Sequence, residues 1–134
     1  MIGGYAGKIL EVDLTTSKVS AITLDTEIAC SYIGGRGYMD RLLWDRVGSN
    51  ALPFSPENQI MFFTGPITGL LSSPNTVLRF RSPLTASKRG RFGIGHTVIG
   101  SQWGPELKFA GYDGLIVIGQ AEDPVYLYLS LIHI

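Results

Sequence analysis

The residues able to do chemistry gather in one stretch, and the chemistry they suit is anion binding. The 48 residues from Asn58 to Pro105 contain no Asp or Glu but carry Arg79, Arg81, Lys88, Arg89 and Arg91. The other bases share the flanks with all 11 acids, so a net charge of zero hides a positive middle. Around those bases lie a loop of small and polar residues from Gly65 to Asn75, then Gly93, Gly95 and Gly100, and a helix opening near Ser101. Exposed amides of a glycine-rich turn at a helix start favour negative charge, and missing side chains let a large ligand reach the backbone. Two uses compete on these residues alone: an anionic ligand site, or a solvated basic loop with ordinary turn glycines.

Other chemistries fail on their spacing. Gly95 to Ser101 has the glycine spacing of a phosphate loop, but Ser101 stands where the lysine that grips the β- and γ-phosphates belongs. Gly35-Arg36-Gly37 leads to Asp40 where a dinucleotide fingerprint needs its third glycine, and no parallel strand precedes it. The single cysteine, Cys30, holds neither a disulfide, a zinc site nor an iron–sulfur cluster. Its neighbours Ile28, Ala29 and Tyr32 predict a buried structural thiol. The acid-free middle offers no carboxylate pair for acid–base work. Ser72, Ser73, Ser82 and Ser101 lack the setting of a nucleophile elbow, and His96 reads as a hydrogen-bonded loop histidine.

The elements that must hold this middle can be read from periodicity. Leu10, Val12 and Leu14 alternate with Glu11 and Asp13, which predicts a strand over residues 5–14 and a return strand over 18–24. Asp25 is placed to cap a short helix running to Ile33. After the break at Gly34-Gly35-Arg36-Gly37, a second helix to about Val47 sets Met39, Leu42, Leu43 and Val47 on one face. The apolar run Ile60 to Phe63 predicts a fully buried strand. Thr76 to Arg81 alternates so that Val77, Arg79 and Arg81 share one side, a half-buried strand displaying two arginines. Residues 86–100 read as irregular. A short helix follows from Ser101 to Ala110, with Pro105 in its first turn and Gly111 past its end. Residues 115–119 and 125–129 predict a final hairpin. The fold class expected is α+β, with largely antiparallel β-sheets, two N-terminal helices and one short helix.

At 134 residues, 45% hydrophobic and 16% charged, this is one ordinary domain and not a disordered chain. The low charge leaves an apolar excess that suits a face covered by something else. No run of 18 apolar residues and no secretory leader pattern is present, which predicts a cytoplasmic protein without membrane contact. The end, Ser130-Leu131-Ile132-His133-Ile134, stops in mid-strand. Residues 1–129 are therefore expected to be a truncated domain, and 130–134 a non-native tail.

The chain also carries, in order, Tyr5-Ala-Gly-Lys-Ile-Leu-Glu-Val-Asp-Leu-Thr-Thr16, Ile33-Gly-Gly-Arg-Gly37, Phe54-Ser-Pro-Glu-Asn58, Thr64-Gly-Pro-Ile-Thr-Gly69, Arg81-Ser-Pro-Leu-Thr85, Gly104-Pro-Glu-Leu-Lys-Phe-Ala-Gly-Tyr-Asp113 and Pro124-Val-Tyr-Leu-Tyr128. This set resembles the N-terminal domain of the aldehyde ferredoxin oxidoreductase family, over the chain up to about Leu129. The resemblance implies a parent enzyme several times longer, with tungsten or molybdenum held by two pterin dithiolenes (tungstopterin or molybdopterin) and a 4Fe–4S cluster nearby. It implies that the N-terminal domain is a base of two β-sheets under the bis-pterin cofactor, whose phosphates a magnesium ion bridges. Aldehyde oxidation to carboxylic acid, with ferredoxin as electron acceptor, is the implied reaction. The cluster cysteines and the acid–base residues would belong to the remaining domains. The fragment itself is expected to be inactive and to contain no catalytic residue.

Carried over residue by residue, the family's pterin-phosphate arginine falls on Asn75, with Arg79 or Arg81 as the alternative source of charge. Its Asn-x-Gly-Gly cofactor turn falls on Val98, Ile99, Gly100 and Ser101. Gly100 matches, and Val98 in place of Asn leaves its backbone carbonyl as the implied magnesium contact. The family also includes members acting on other oxo-acids and aromatic thioesters. A rival reading is a stand-alone module whose basic loop binds RNA or single-stranded DNA, which wants aromatics interleaved with the arginines; Phe80 and Phe92 are there, with Phe80 on the apolar side of its strand. A third is a structural fragment whose apolar surface docks onto the missing domains.

Overall fold

The computed structural model describes residues 3–70, 74–86 and 91–129. Strands β1 (Lys8–Asp13) and β2 (Lys18–Thr23) form the expected first hairpin. Its turn is made by Asp13, whose carboxylate accepts from the Thr15 and Thr16 amides at 2.9 and 3.4 Å and from the Thr16 hydroxyl at 2.8 Å. The Thr16 hydroxyl, above all, lowers the Asp13 pKa below its ordinary value, and the two amides and Lys18 act in the same sense. A carboxyl depressed in the fold adds stability above its unfolded pKa, and that contribution fades as pH falls through the folded value. Thr16→Val is expected to move the Asp13 titration, followed by its carboxyl ¹³C shift, back toward the ordinary range. An unmoved midpoint would assign the shift to the backbone alone.

Helix α1 (Thr26–Tyr32) starts where Asp25 accepts from the Glu27 and Ile28 amides, the cap read from the sequence. Helix α2 (Gly35–Arg46) follows after only two residues. Gly35, Arg36 and Gly37, read as a break, instead form its first turn. Gly34 and Gly35 take positive φ (62° and 50°), and a Cβ on Gly34 would stand 3.3 Å from the Tyr5 ring. Strands β3 (Ile60–Thr64), β4 (Thr76–Ala86) and β5 (Phe92–Ile99) form a meander. Helix α3 (Trp103–Phe109) ends at Gly111, whose amide and that of Tyr112 bond back to the Lys108 and Leu107 carbonyls. Strand β6 (Gly114–Ile118) closes the set.

Among the described residues the six strands lie in one sheet, ordered β2-β1-β6-β3-β4-β5, where the resemblance implied two. Every pairing is antiparallel except β1 with β6, so the α+β, largely antiparallel expectation holds. Helices α1 and α2 cover one face. Tyr38, Met39, Leu43 and Val47 pack there against Ile9, Met61, Phe63 and Ile116. Burying one such side chain contributes about 1.5–3 kcal/mol relative to exposure. The other face is served by α3 through Leu107 and by a tilted contact between Phe62 and Trp103 at 5.4 Å.

Several expectations are corrected. The segment read as irregular contains β5, because Gly93 and Gly95 are there for space and not for turning. A Cβ on Gly95 would lie 2.6 Å from the Phe80 ring opposite it, and one on Gly93 2.6 Å from the Thr85 hydroxyl. His96 is accordingly an exposed strand residue, not a loop one. The final hairpin does not form. Strand β6 has β1 on one side and β3 on the other, so no edge is left for residues 125–129, which are exposed. Cys30 is exposed, since α1 turns Ala29 inward. Ile60, first in its strand, is exposed, although β3 is central. No described helix is long and apolar enough to cross a membrane. Lys88, Arg89 and residues 130–134 lie outside the described residues.

Candidate functional site

The antiparallel register gathers four of the six candidate residues at one end of the sheet. Thr76 faces Ile99 and Val77 faces Val98, which sets Asn75 beside Gly100 and Ser101. Thr64 faces Thr76 from the other side, and the loop that follows it folds back here. The Gly65 amide donates to the Thr68 hydroxyl at 3.0 Å, and that hydroxyl donates to the Asn75 carbonyl at 3.4 Å. Helix α3 closes in tightly, because a Cβ on Gly104 would come 2.5 Å from the Thr76 hydroxyl and 2.9 Å from the Pro74 carbonyl. Asn75, Val98, Gly100 and Ser101 are all exposed on this platform.

Gly100 is open rather than strained. Its φ is not in the positive range, and a Cβ there meets nothing within 4 Å. The positive φ of this turn belongs to Ser101, at 75°. Backbone here is accessible to a ligand, and a side chain on Gly100 would intrude on that ligand and not on the protein. Val98 is part of β5, opposite Val77, and not in a loop. Among the described residues no three His, Cys, Asp or Glu side chains converge on a metal position.

The two arginines do not stand on display. Arg79 is 5% exposed, and its Nη2 donates to Asp40 Oδ2 of α2 at 2.9 Å. The alternation correctly put it beside Val77, but that face is covered by a helix carrying a counter-charge. The Arg79 Nε and the Asp40 Oδ1 are buried without hydrogen-bond partners among the described residues. Arg81 lies six residues along the strand from Asn75, about 20 Å away. Its guanidinium donates to the carbonyls of Phe92, at 2.8 Å, and Gly48. Thus Arg79 sits in mid-strand, four residues and about 13 Å along β4 from Asn75, and Arg81 belongs to the far end of the sheet. Phe80 is half-buried over Gly95, so the interleaving of exposed aromatics and arginines that nucleic-acid stacking needs is missing from this strand.

Behind the platform the entering chain is fixed by Asp113, which is 1% exposed. It accepts from the Ala6 and Gly7 amides at 3.0 and 2.7 Å and from Lys108 at 2.8 Å. Its own carbonyl accepts from both the amide and the hydroxyl of Thr64. Lys108 also reaches the Gly4 carbonyl and lies 5.3 Å above the Tyr5 ring. Burial, then the Asp113 and Cys30 charges, raise the Tyr5 pKa. The roles of Asp113 and Asp40 escape the sequence because Ala6, Gly7 and Thr64, and Arg79 for Asp40, are remote from them in the chain. An open groove of about 830 Å³, lined by Leu14, Phe54, Ile60, Val117 and Gln120, occupies the opposite end of the sheet.

Comparison with known proteins accords with this architecture. Residues 9–133 match the family model described as aldehyde ferredoxin oxidoreductase, N-terminal domain. A tungsten-containing aldehyde ferredoxin oxidoreductase of Pyrococcus abyssi is 41% identical over 130 residues, covering 94% of this chain and 20% of the relative. The aliphatic sulfonate oxidoreductase, WOR-like subunit, of Pyrococcus furiosus is 38% identical over 128 residues, covering 93% of this chain and 20% of the relative. Among solved structures, the active site complex BamBC of benzoyl coenzyme A reductase, in complex with 1,5 dienoyl-CoA, superposes with a TM-score of 0.86. It is 36% identical and covers 96% of this chain and 19% of that one. The chain thus spans about a fifth of the length of the relatives it matches. It belongs to the aldehyde ferredoxin oxidoreductase N-terminal domain family.

Proposed function

We propose that this chain is the cofactor base of a tungsten or molybdenum pterin oxidoreductase, and that the parent oxidises an aldehyde or related oxo compound to the acid. The observation that carries the reading is the family match over residues 9–133, joined to an open backbone platform at Asn75, Val98, Gly100 and Ser101. The residues there fit a phosphate-bearing pterin in shape. Gly100 leaves room for a ligand, since a side chain there would meet nothing within 4 Å. When bound, the metal–pterin group supplies the two-electron redox chemistry.

This chain's own residues would bind and orient. Asn75 offers amide hydrogen bonds, Ser101 a hydroxyl, Gly100 bare backbone, and Val98 a carbonyl as the contact proposed for magnesium. Ferredoxin as acceptor, a 4Fe–4S cluster on later domains, and work in the cytoplasm complete the proposal. The naming of a relative after tungsten, aldehyde and ferredoxin supports the metal, substrate and acceptor parts of the proposal.

The test compares the full-length parent with this chain. The parent is expected to hold pterin-bound tungsten or molybdenum and to reduce a viologen dye with aldehyde. The 134-residue chain is expected to reduce none, since one cysteine cannot ligate the cluster that relays the electrons. Dye reduction by the chain alone, or a parent without pterin-bound metal, would sink the proposal.

A further inference from the structure

The two faces of the sheet divide their charge the wrong way round for a domain that stands alone. Residues directly opposite each other on neighbouring strands share a face. The face under α1 and α2 carries Glu11, Asp13, Lys18, Arg79 and Arg81 among its apolar side chains. On the other face Val19 lies opposite Val12, Val12 beside Val117, and Val117 opposite Ile60, one row across four strands. The next row runs Ala21, Leu10, Leu115, Phe62 and Leu78. Neither row contains a charged side chain. An antiparallel sheet with one face in water turns polar residues outward, so two uncharged rows point to a face that is covered.

Among the described residues that cover is small. Helix α3 has seven residues and reaches the second row where Trp103 meets Phe62. The first row stays open at both ends, where Val19 is 60% and Ile60 42% exposed, with Val12 buried between them. Ile60 and Val117 also line the open groove of about 830 Å³, beside the exposed Phe54. The course of the chain indicates what lies on this row. Gly119, Gln120 and Glu122, which lead away from β6, line the same groove. Val125 to Leu129 follow, apolar and exposed. The chain spans about a fifth of the relatives it matches, so most of the parent polypeptide continues from the rim of this groove.

We propose that the row from Val19 to Ile60, with its groove, is the seat of the parent's own polypeptide downstream of residue 134. The segment that docks there is apolar and uncharged, as the row is. This inference goes beyond the cofactor-base reading and rests on the family match alone.

The experiment uses the full-length parent carrying Val19→Cys or Ile60→Cys. Each variant is alkylated with iodoacetamide in native and in denatured form, and the peptide holding the new cysteine is quantified by mass spectrometry. The native rate is expected to fall at least about tenfold below the denatured one, because the thiol reacts only when the docked segment opens. The protection should persist when the parent is diluted to a monomer and freed of other subunits. A native rate close to the denatured one would show that the face is free and overturn the proposal. Protection lost on dilution would assign the row to a second copy, and protection lost with a co-purifying subunit would assign it to that partner; either result overturns the proposal. Should these variants fail to fold, Ala21→Cys in the second row exchanges one small side chain for another and carries the same expectation. A parent that protects the row but holds no pterin-bound metal would instead overturn the cofactor-base reading alone.

Discussion

Asp113→Ala is expected to cost about 3–5 kcal/mol of folding stability, the usual loss when one partner of a buried ion pair is removed. The carboxylate is 1% exposed, and the Lys108 side chain is 10% exposed. Removing it strands the Lys108 charge and leaves the Ala6 and Gly7 amides without their acceptor. The cost comes from those stranded groups more than from the lost bond. Lys108→Met in the same background should therefore recover part of the stability, and the double variant should cost less than the two single losses added. Denaturant midpoints at unchanged slope are the measurement. A loss below about 1 kcal/mol would mean that water reaches Lys108 and that the pair behaves as a surface one. The consequence extends to the site, because Asp113 also bonds Thr64 through its carbonyl and so fixes the strand end next to Asn75. In the parent, the same variant should lose bound metal at temperatures where the wild type keeps it.

What was legible in the sequence was the local chemistry. Asp25 announces α1, and Pro105 with Gly111 brackets α3, because capping and turn geometry are decided within a few residues. What was not legible depended on partners far along the chain. The alternation of Val77, Arg79 and Arg81 was read correctly as one face, yet Arg79 was assigned to solvent. Its counter-charge, Asp40, comes from α2, 39 residues away. The last hairpin was predicted from strand-like residues 125–129. Parallel pairing of β1 with β6 leaves no signal in either strand, and it consumes the edge that the hairpin needed. Glycine misled in the same way. In β5 it marks where an aromatic ring from β4 crosses, a cross-strand fit that composition reads as loop. At the platform, the sequence placed Asn75, Val98, Gly100 and Ser101 together through the resemblance.

The same cross-strand device recurs in the core, where Gly114→Ala should give the other large effect. Gly114 of β6 faces Phe63 of β3, and a Cβ there would stand 2.6 Å from the ring. The ring cannot easily retreat, because Tyr38 of α2 stacks on it at 5.2 Å. Tyr38 in turn accepts the Asp25 amide through its hydroxyl at 2.9 Å, so pressure on the ring passes to the N-cap of α1. The φ of Gly114 is not positive, which removes backbone strain from the account and leaves overpacking alone. Overpacking of a close-packed core costs about 1–3 kcal/mol, and one methyl group suffices. Phe63→Leu alone should also destabilise, by leaving a cavity beneath Tyr38. Combined, the two should compensate, because the smaller side chain makes room for the new methyl. A coupling of about 0.5–3 kcal/mol in the relieving direction is expected from denaturant titrations of the four proteins. Strict additivity would show that Phe63 rotates away freely, and that Gly114 is kept for some reason other than the ring above it.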